Sequence, residues 1–399
     1  MLRNIVICDH YYGKDSGIVK CVLWVARIKE GELGEIIVID VCIITAKYLV
    51  DRTWILRDKE ILESLGFRVR ILGVDSDIIS LSSVKNIKSY IVSLRNCDVV
   101  FGWFALPSTI LLSKIMGIPI IANAIGYEVA YYPEILYGLP QNLAVRPIIA
   151  LALRIADEII AASKESLRWA YKWSGRKGFV IYFGIDFEKY DCSGVVKNTV
   201  TEGPIITIIS YLGLGNVIRK DIPTLIKAIC EVKRKYPNLK LYVIGEKLDG
   251  YLLLKQLVQK LNINDNVIFT GKLPHEDLVK LLCKSNLFVT TSYQEGFGSA
   301  IFEASGAGIP IIVSNRPALN EVFTEEIATI VEPGNPSKLA QAIINTLENK
   351  EKTSRKTRKA QAIIRQEFSI YARKEKIKKL MKYFLKKMRN DIKKYYRYN

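Results

Sequence analysis

The rhythm of this chain constrains its fold more than any single motif. From Asp98 to Tyr182, short apolar runs of strand length alternate with amphipathic segments of helical spacing. Asp98–Gly102, Pro119–Ala124, Asp157–Ala162 and Gly178–Tyr182 read as strands, and Pro107–Met116, Ala144–Ile155 and Lys164–Trp173 as helices between them. Upstream, the pattern predicts a strand at Asn4–Cys8, a loop at His10–Gly17 and a helix at Ile18–Lys29. An apolar run over Glu35–Ala46, long for one strand, precedes a helix at Leu49–Leu65 and a strand at Phe67–Val74. Periodicity stops between Phe187 and Gly203, where polar residues accumulate. A second set follows, with strands at Ile205–Leu212, Leu239–Gly245 and Asn266–Thr270 and helices at Asp221–Tyr236, Leu252–Leu261 and His275–Ser285.

Alternation of this kind gives a parallel sheet covered by helices on both faces, and 399 residues are too many for one compact core. The expectation is an α/β protein of two Rossmann-like, doubly wound domains facing across a cleft. The first spans 1–190, the second 204–368, and 369–399 forms a basic amphipathic segment packing back toward the first. Ligands of such sheets bind beyond the carboxyl ends of the strands.

The densest local information lies in Leu287–Phe323, LFVTTSYQEGFGSAIFEASGAGIPIIVSNRPALNEVF. It reads as a strand, a glycine turn at Glu295-Gly296-Phe297-Gly298, a small-residue helix starting near Ser299, and a strand at Pro310–Ser314. Glycines let backbone N–H groups approach a ligand, and the helix aims its positive end at the same place, so an anion is expected there. Glu295 sits at the helix mouth and Glu303 about one turn inside. Carboxylates accept from paired sugar hydroxyls, so the two suit a ligand with a diphosphate between two polyols.

The Glu-x7-Glu pair within EGFGSAIFEASGAGIPIIVS resembles the signature of retaining glycosyltransferases of the GT-B fold, in particular family 4. The resemblance implies that Glu303 binds the nucleotide ribose and Glu295 lies against the donor sugar. It also implies that the amides of Gly296, Phe297, Gly298 and Ser299 hold sugar and diphosphate, that Gly245 belongs to the donor-binding set, and that the loop around Gly271 and Leu273 lies on the base side. RKDIPTLIKA resembles the family stretch in which a Lys contacts the diphosphate, which maps to Lys220, with Arg219 beside it. An Arg usual five residues earlier is replaced by Gly215, and a His usual in the first domain by Ile125, with Gly126 retained.

Competing motifs are weak. The G-x-G at Gly213 and Gly215 lacks its third glycine, Ile218 standing there, and no P-loop spacing occurs. Asp75-Ser76-Asp77 sits in a loop of the first domain and reads as solvated. His10, at the end of the first strand, is a candidate cleft residue, whereas His275 reads as a structural cap at a helix start.

Charge is unevenly placed. The chain has 58 Lys and Arg against 40 Asp and Glu; after residue 350 there are 18 against 4, leaving 40 against 36 before it. A nearly neutral body with a basic tail gives no reason to expect a specific nucleic-acid partner. Ile377, Leu380, Met381, Phe384, Leu385, Met388 and Ile392 recur at helical spacing in that tail. Packing is expected to about Phe384, and the basic, tyrosine-rich remainder suits an anionic membrane surface. Tyr127, Tyr131, Tyr132 and Tyr137 lie on the expected acceptor side, where sugar stacking and ordinary packing both account for them. The seven cysteines, Cys8, Cys21, Cys42, Cys97, Cys192, Cys230 and Cys283, are scattered and form no C-x-x-C, so reduced thiols, a cytosolic protein and no zinc set are expected. Asp40, Lys114 and Arg154 interrupt the apolar runs below spanning length, and no leader pattern opens the chain.

These readings converge on a retaining transferase of EC 2.4 type, hexosyltransferase-like, cytoplasmic or peripheral at the cytoplasmic face of a membrane. It would take a nucleotide sugar as donor and a glycan or lipid-linked acceptor, with no cofactor or metal required. The alternatives are a nucleotide-sugar epimerase of the same fold and a catalytically silent binding subunit held at a membrane or on RNA by its tail.

Overall fold

The structure is a computed structural model that describes residues 38–74, 91–195 and 203–398. The expected strand at Asn4–Cys8 with the loop and helix after it, His10, and Asp75-Ser76-Asp77 lie outside the described residues, as does the middle of the polar linker.

The first domain contains β1 (Asp40–Ala46), α1 (Thr53–Ser64), β2 (Arg68–Val74), β3 (Val99–Trp103), α2 (Pro107–Ile115), β4 (Ile120–Ala124), α3 (Arg146–Ile155), β5 (Glu158–Ala161), α4 (Lys164–Ser174) and β6 (Phe179–Val180). Its strands form a parallel sheet in the order β2-β1-β3-β4-β5-β6. The long run Glu35–Ala46 narrows to a strand beginning at Asp40. Strands β3, β4 and β5 are buried throughout, as strands covered on both faces must be.

The second domain contains β7 (Ile205–Ile209), α5 (Leu214–Arg219), α6 (Ile222–Val232), β8 (Lys240–Ile244), α7 (Tyr251–Lys260), β9 (Val267–Gly271), α8 (His275–Lys284), β10 (Leu287–Thr290), α9 (Ser299–Gly306), β11 (Ile311–Ser314), β12 (Thr329–Val331), α10 (Pro336–Glu348) and α11 (Lys350–Glu367). The order is β12-β11-β10-β7-β8-β9, parallel throughout. After β7 the chain adds two strands on one side, then three on the other. The switch point of the sheet is therefore the gap between the carboxyl ends of β7 and β10.

Helix α12 (Ile370–Tyr398) returns to the first domain, where Ile377, Leu380, Met381 and Phe384 are buried in one core with Ile55, Phe101 and Trp103. Packing runs past Phe384: Leu385 and Met388 are partly buried on the same core, and Lys387 Nζ donates to the Asp157 carbonyl at 2.9 Å. At the crossing, Ile185 N donates to Phe368 O at 2.9 Å and Ile370 N to Ile185 O at 3.2 Å. A buried bidentate pair, Arg373 to Asp58 at 2.6 and 2.7 Å, fixes the returning helix against α1.

The cysteine expectation is corrected. Cys42 is bonded to Cys97, and Cys192 to Cys283, leaving Cys230 free among the described residues. Parallel pairing of β1 with β3 brings the first two together across 55 residues, and closure of the inter-domain strap onto α8 brings the second two together across 91. Neither approach leaves a trace in local spacing.

Candidate active site at the sheet switch point

Two loops leave the switch point and bring Arg219, Lys220 and Glu295 together. The one after β7 leads through α5 to Arg219 and Lys220. Lys220 closes α5, and Asp221 then takes a left-handed φ of 48° so that α6 can start at once. The other loop follows β10 and carries Ser292, Gln294 and Glu295 before α9. Thr291 Oγ1 donates to Lys220 O at 2.8 Å, and Tyr293 N to Arg219 O at 2.8 Å, so the second loop is stitched to the backbone carbonyls of the first.

Glu295, 5 % exposed, is the hub. Arg219 Nη1 stands 3.0 Å from its Oε2, Lys220 Nζ 3.4 Å from its Oε1, and Ser292 Oγ donates to Oε1 at 2.8 Å. Burial works to raise the Glu295 carboxyl, but Arg219, Lys220 and the Ser292 hydroxyl outweigh it and hold it down at about 2. Burial pushes the Lys220 ammonium below its ordinary value despite Glu295. Burial also opposes the Arg219 charge, yet Glu295 and Tyr137 keep that guanidinium above its ordinary value. Two basic side chains thus share one carboxylate in a dry setting. Lys220 also donates to Ile209 O at 3.1 Å and Arg219 to Gln294 O at 2.7 Å, which fixes both side chains before any ligand arrives.

Helix α9 begins beside this cluster, since a Cβ on its cap residue Gly298 would stand 3.6 Å from Glu295 Cγ. Gly298 turns the chain into it at φ 84°, and the first-turn amides of Ser299 and Ala300 are ones a helix leaves without an internal partner. The Phe297 side chain takes no part in such a site. It is stacked on Phe302 at 4.3 Å and packs on Phe183 of the first domain at 4.9 Å, so only its backbone faces the turn. Glu303, partly exposed, is pushed up by burial against the opposing influence of Tyr190, Arg57 and Lys220. Gly245 N donates to Gly271 O at 3.0 Å, joining the ends of β8 and β9, with Leu273 just beyond. Gly245 is required by packing: a Cβ there would stand 1.9 Å from Ser210 O. Gly215 faces open space, so Arg219 alone supplies the second cation.

The first domain reaches the same place through Ile125 and Gly126, held by Glu128 and Ser166, which the sequence did not single out. Glu128 is buried and accepts from the amides of Ile125 and Gly126, and Ser166 Oγ donates to Ile125 O at 2.9 Å. The loop they hold lies directly on the glycine turn: a Cβ on Gly296 would stand 2.6 Å from Ile125 O, and one on Gly126 3.1 Å from Gly296 Cα. A carboxylate two residues after a glycine, within an otherwise apolar run, was the available signal for Glu128. The tyrosines divide. Tyr131 and Tyr132 pack on Trp169, whereas Tyr137 reaches the cleft with Arg219 5.6 Å from its ring centre. His275 is corrected: Pro274 holds the cap position without any side-chain cap, and the His275 ring meets Tyr190 edge-on at 5.2 Å. Among the described residues no group of three or more metal-ligating side chains is gathered, and no helix is long and apolar enough to cross a membrane.

Residues 212–363 match the family model described as "Glycosyl transferases group 1". This part of the chain is similar to the domains of that family. It spans the switch-point loops and all of α9. Over most of its length the chain also shares the GT-B fold of solved structures. HepE of Anabaena, solved with UDP and glucose, superposes with a TM-score of 0.69 at 21 % identity, over 86 % of this chain and 99 % of that one. Sucrose-phosphate synthase of Thermosynechococcus elongatus gives 0.72 at 17 % identity, over 87 % and 99 %. Among curated relatives, the phosphatidylinositol N-acetylglucosaminyltransferase GPI3 subunit of Saccharomyces cerevisiae is 24 % identical over 232 residues, 55 % of this chain and 50 % of that protein. Phosphatidyl-myo-inositol mannosyltransferase of Propionibacterium freudenreichii is 27 % identical over 199 residues, 48 % of each. The chain thus spans about half the length of these relatives.

Proposed function

We propose that this chain is a retaining glycosyltransferase that moves a sugar from a nucleoside diphosphate to a glycan or lipid-linked acceptor and needs no metal. The observation that carries the reading is the buried Arg219–Glu295–Lys220 cluster beside the cap residue of α9, at the switch point of the sheet. Lys220 has three donors and uses two, so one remains for a diphosphate oxygen. Preorganised cations are worth most where charge develops, here on the leaving diphosphate. In the proposed reaction the bond from the sugar C1 to the diphosphate oxygen breaks, and a bond from the acceptor oxygen to C1 forms on the same face. The acceptor proton passes to the departing diphosphate. No imidazole is required for that transfer, which suits Ile125. Glu303 accepts from the ribose hydroxyls and Glu295 faces the donor sugar, while the amides from Gly296 to Ser299 receive sugar and diphosphate, and the loop from Gly271 to Leu273 borders the base.

A neighbour solved with UDP and glucose supports trying UDP first. Relatives named for phosphatidylinositol substrates support a lipid-linked acceptor. The basic end of α12 would then sit at an anionic membrane surface, the chain being peripheral there. With two disulfides in the fold, cysteine usage no longer favours a reducing compartment, and location rests on the tail alone.

Calorimetric titration of UDP, GDP and ADP, with and without attached sugars, into wild type and Glu303→Ala tests the reading. Saturable binding of one diphosphate, weakened by the substitution, is expected. No binding of any of them would remove the enzyme reading and leave a binding subunit.

A further inference from the structure

Helix α4 of the first domain starts against the second domain at two points. Its first amide, Lys164 N, donates to both oxygens of Glu321, at 2.9 Å to Oε2 and 3.2 Å to Oε1. Two residues on, Ser166 Oγ donates to Ile125 O at 2.9 Å, and Ile125 O is the atom that a Cβ on Gly296 would meet at 2.6 Å. The cap residue Ser163 accepts from Ser166 N at 3.1 Å. The helix's own cap therefore serves its third amide, and a carboxylate of the other domain serves its first. On the second domain, Glu321 belongs to the turn after β11. Ala318 takes a left-handed φ of 70° in that turn, and the buried Leu319 lies against the glycine turn, where a Cβ on Gly298 would stand 3.3 Å from Leu319 Cδ2. Ser314 Oγ, at the end of β11, donates to Ser292 O at 2.6 Å, and Ser292 in turn holds Glu295. Glu321 is thus built into the same body as Gly298 and Glu295, while its partner belongs to the body that carries Ile125 and Gly126.

We propose that Glu321 is a positioning residue for the transfer: by holding the first amide of α4 across the cleft, it sets the loop of Ile125 and Gly126 on the glycine turn and so brings the acceptor half of the site onto the donor half. This rests on the transferase reading above. A helix leaves its first amides without internal partners, and a carboxylate placed there gains both a charge-assisted hydrogen bond and the favourable end of the helix dipole. Here that carboxylate comes from 157 positions away in the chain and from the other domain. Its stabilisation is therefore present only while the two domains meet. Burial pushes the Glu321 carboxyl up to about 7, with Glu165 adding to the rise and Lys164 opposing it. The ionised form that the amide favours is accordingly complete only above neutral pH.

The test compares wild type, Glu321→Ala and Glu321→Gln as full chains at about pH 8.5, where the carboxylate is ionised. Glutamine keeps a carbonyl that can accept from Lys164 N and loses only the charge. Calorimetry reads the affinity for UDP, GDP and ADP, and release of diphosphate from UDP-glucose, GDP-glucose and ADP-glucose, with water as acceptor, reads turnover. Hydrogen exchange at residues 164–167 and 125–129 reads the contact itself. Glu321→Ala should keep its diphosphate affinity within about twofold, since those ligands are held by the second domain, while kcat falls by about tenfold, the size of one hydrogen bond to a charged group. Exchange should quicken in both segments, and Glu321→Gln should lie between alanine and wild type in kcat and in exchange. With wild type active, unchanged kcat or exchange in Glu321→Ala overturns this inference alone, and so does glutamine no better than alanine. Affinity and kcat falling together, with a lowered urea midpoint, is the mark of a loosened fold and also overturns it. Absence of wild-type binding or turnover overturns the transferase reading and this inference with it.

Discussion

Arg219 Nη1 lies 3.0 Å from Glu295 Oε2, with Lys220 at 3.4 Å on the other oxygen, so one buried carboxylate is shared by two cations carried by a different loop. The carboxyl is held at about 2, below its ordinary 4.5. Because the folded value is depressed, this group's contribution to stability is fully present above about pH 4.5 and is lost as pH falls toward about 2. It amounts to about 3 kcal/mol. Glu295→Gln should be less stable than wild type at neutral pH, and the gap should close under acid. Urea midpoints measured from neutral pH down to about pH 3 check this.

The contact between Gly126 and Gly296 leaves no room for a side chain, since a Cβ on Gly296 would meet a carbonyl oxygen at 2.6 Å. Gly296→Ala should hold the domains apart there and reduce donor-sugar turnover by about a hundredfold, the scale set by misplacing reacting groups by an ångström. Gly215→Ala, in open space on a helix, should leave turnover unchanged. Equal turnover in the two variants would refute the role given to the contact.

Lys220 should act on the diphosphate rather than the nucleoside. Lys220→Ala should weaken nucleoside diphosphate binding by about 10- to 100-fold, the loss of one charge-assisted hydrogen bond. Binding of the nucleoside alone should change little, and titrations of both ligands give the comparison.

The Asp58–Arg373 pair is buried, at 0 % and 3 % exposure. Removing one partner strands the other charge, so Arg373→Ala should cost about 3–5 kcal/mol. Asp58→Ala should cost a similar amount, and the double substitution less than the sum. Chemical denaturation of the four proteins completes the cycle.

The end of α12 should bind anionic surfaces. Deleting residues 390–399 removes basic residues beyond the last described packing contacts. Co-sedimentation with vesicles containing phosphatidylserine should fall, and wild-type binding should weaken with added salt. Retained binding at high salt would point to an apolar attachment instead.

Much of the second domain was legible because its determinants are short-range. β10 is buried at every position, the turn that follows needs glycine at Gly298 for its positive φ, and α9 needs small residues to pack. Each of these leaves its mark within a dozen residues, so strand, turn, helix and the pair Glu295 and Glu303 could be read in order. Spacing also placed Lys220 before α6, though not the separate short helix α5 in front of it. Periodicity set the apolar face of α12, but where its packing ended depended on what the first domain offered.

What the sequence could not show was which distant residues meet. Its own patterns determined the alternation of strands and helices, the break between the domains, the glycine turn and the carboxylates beside it. Tertiary structure alone decided that Asp58 pairs with Arg373, that Gly126 lies on Gly296, that Cys192 bonds Cys283, and that Phe297 turns away from the turn while the Tyr190 ring meets His275. The reason is physical. Backbone preference and periodic burial are local and repeat along the chain, whereas a buried ion pair, a missing Cβ or a sulfur bridge depends on two surfaces that come together only after both domains have folded.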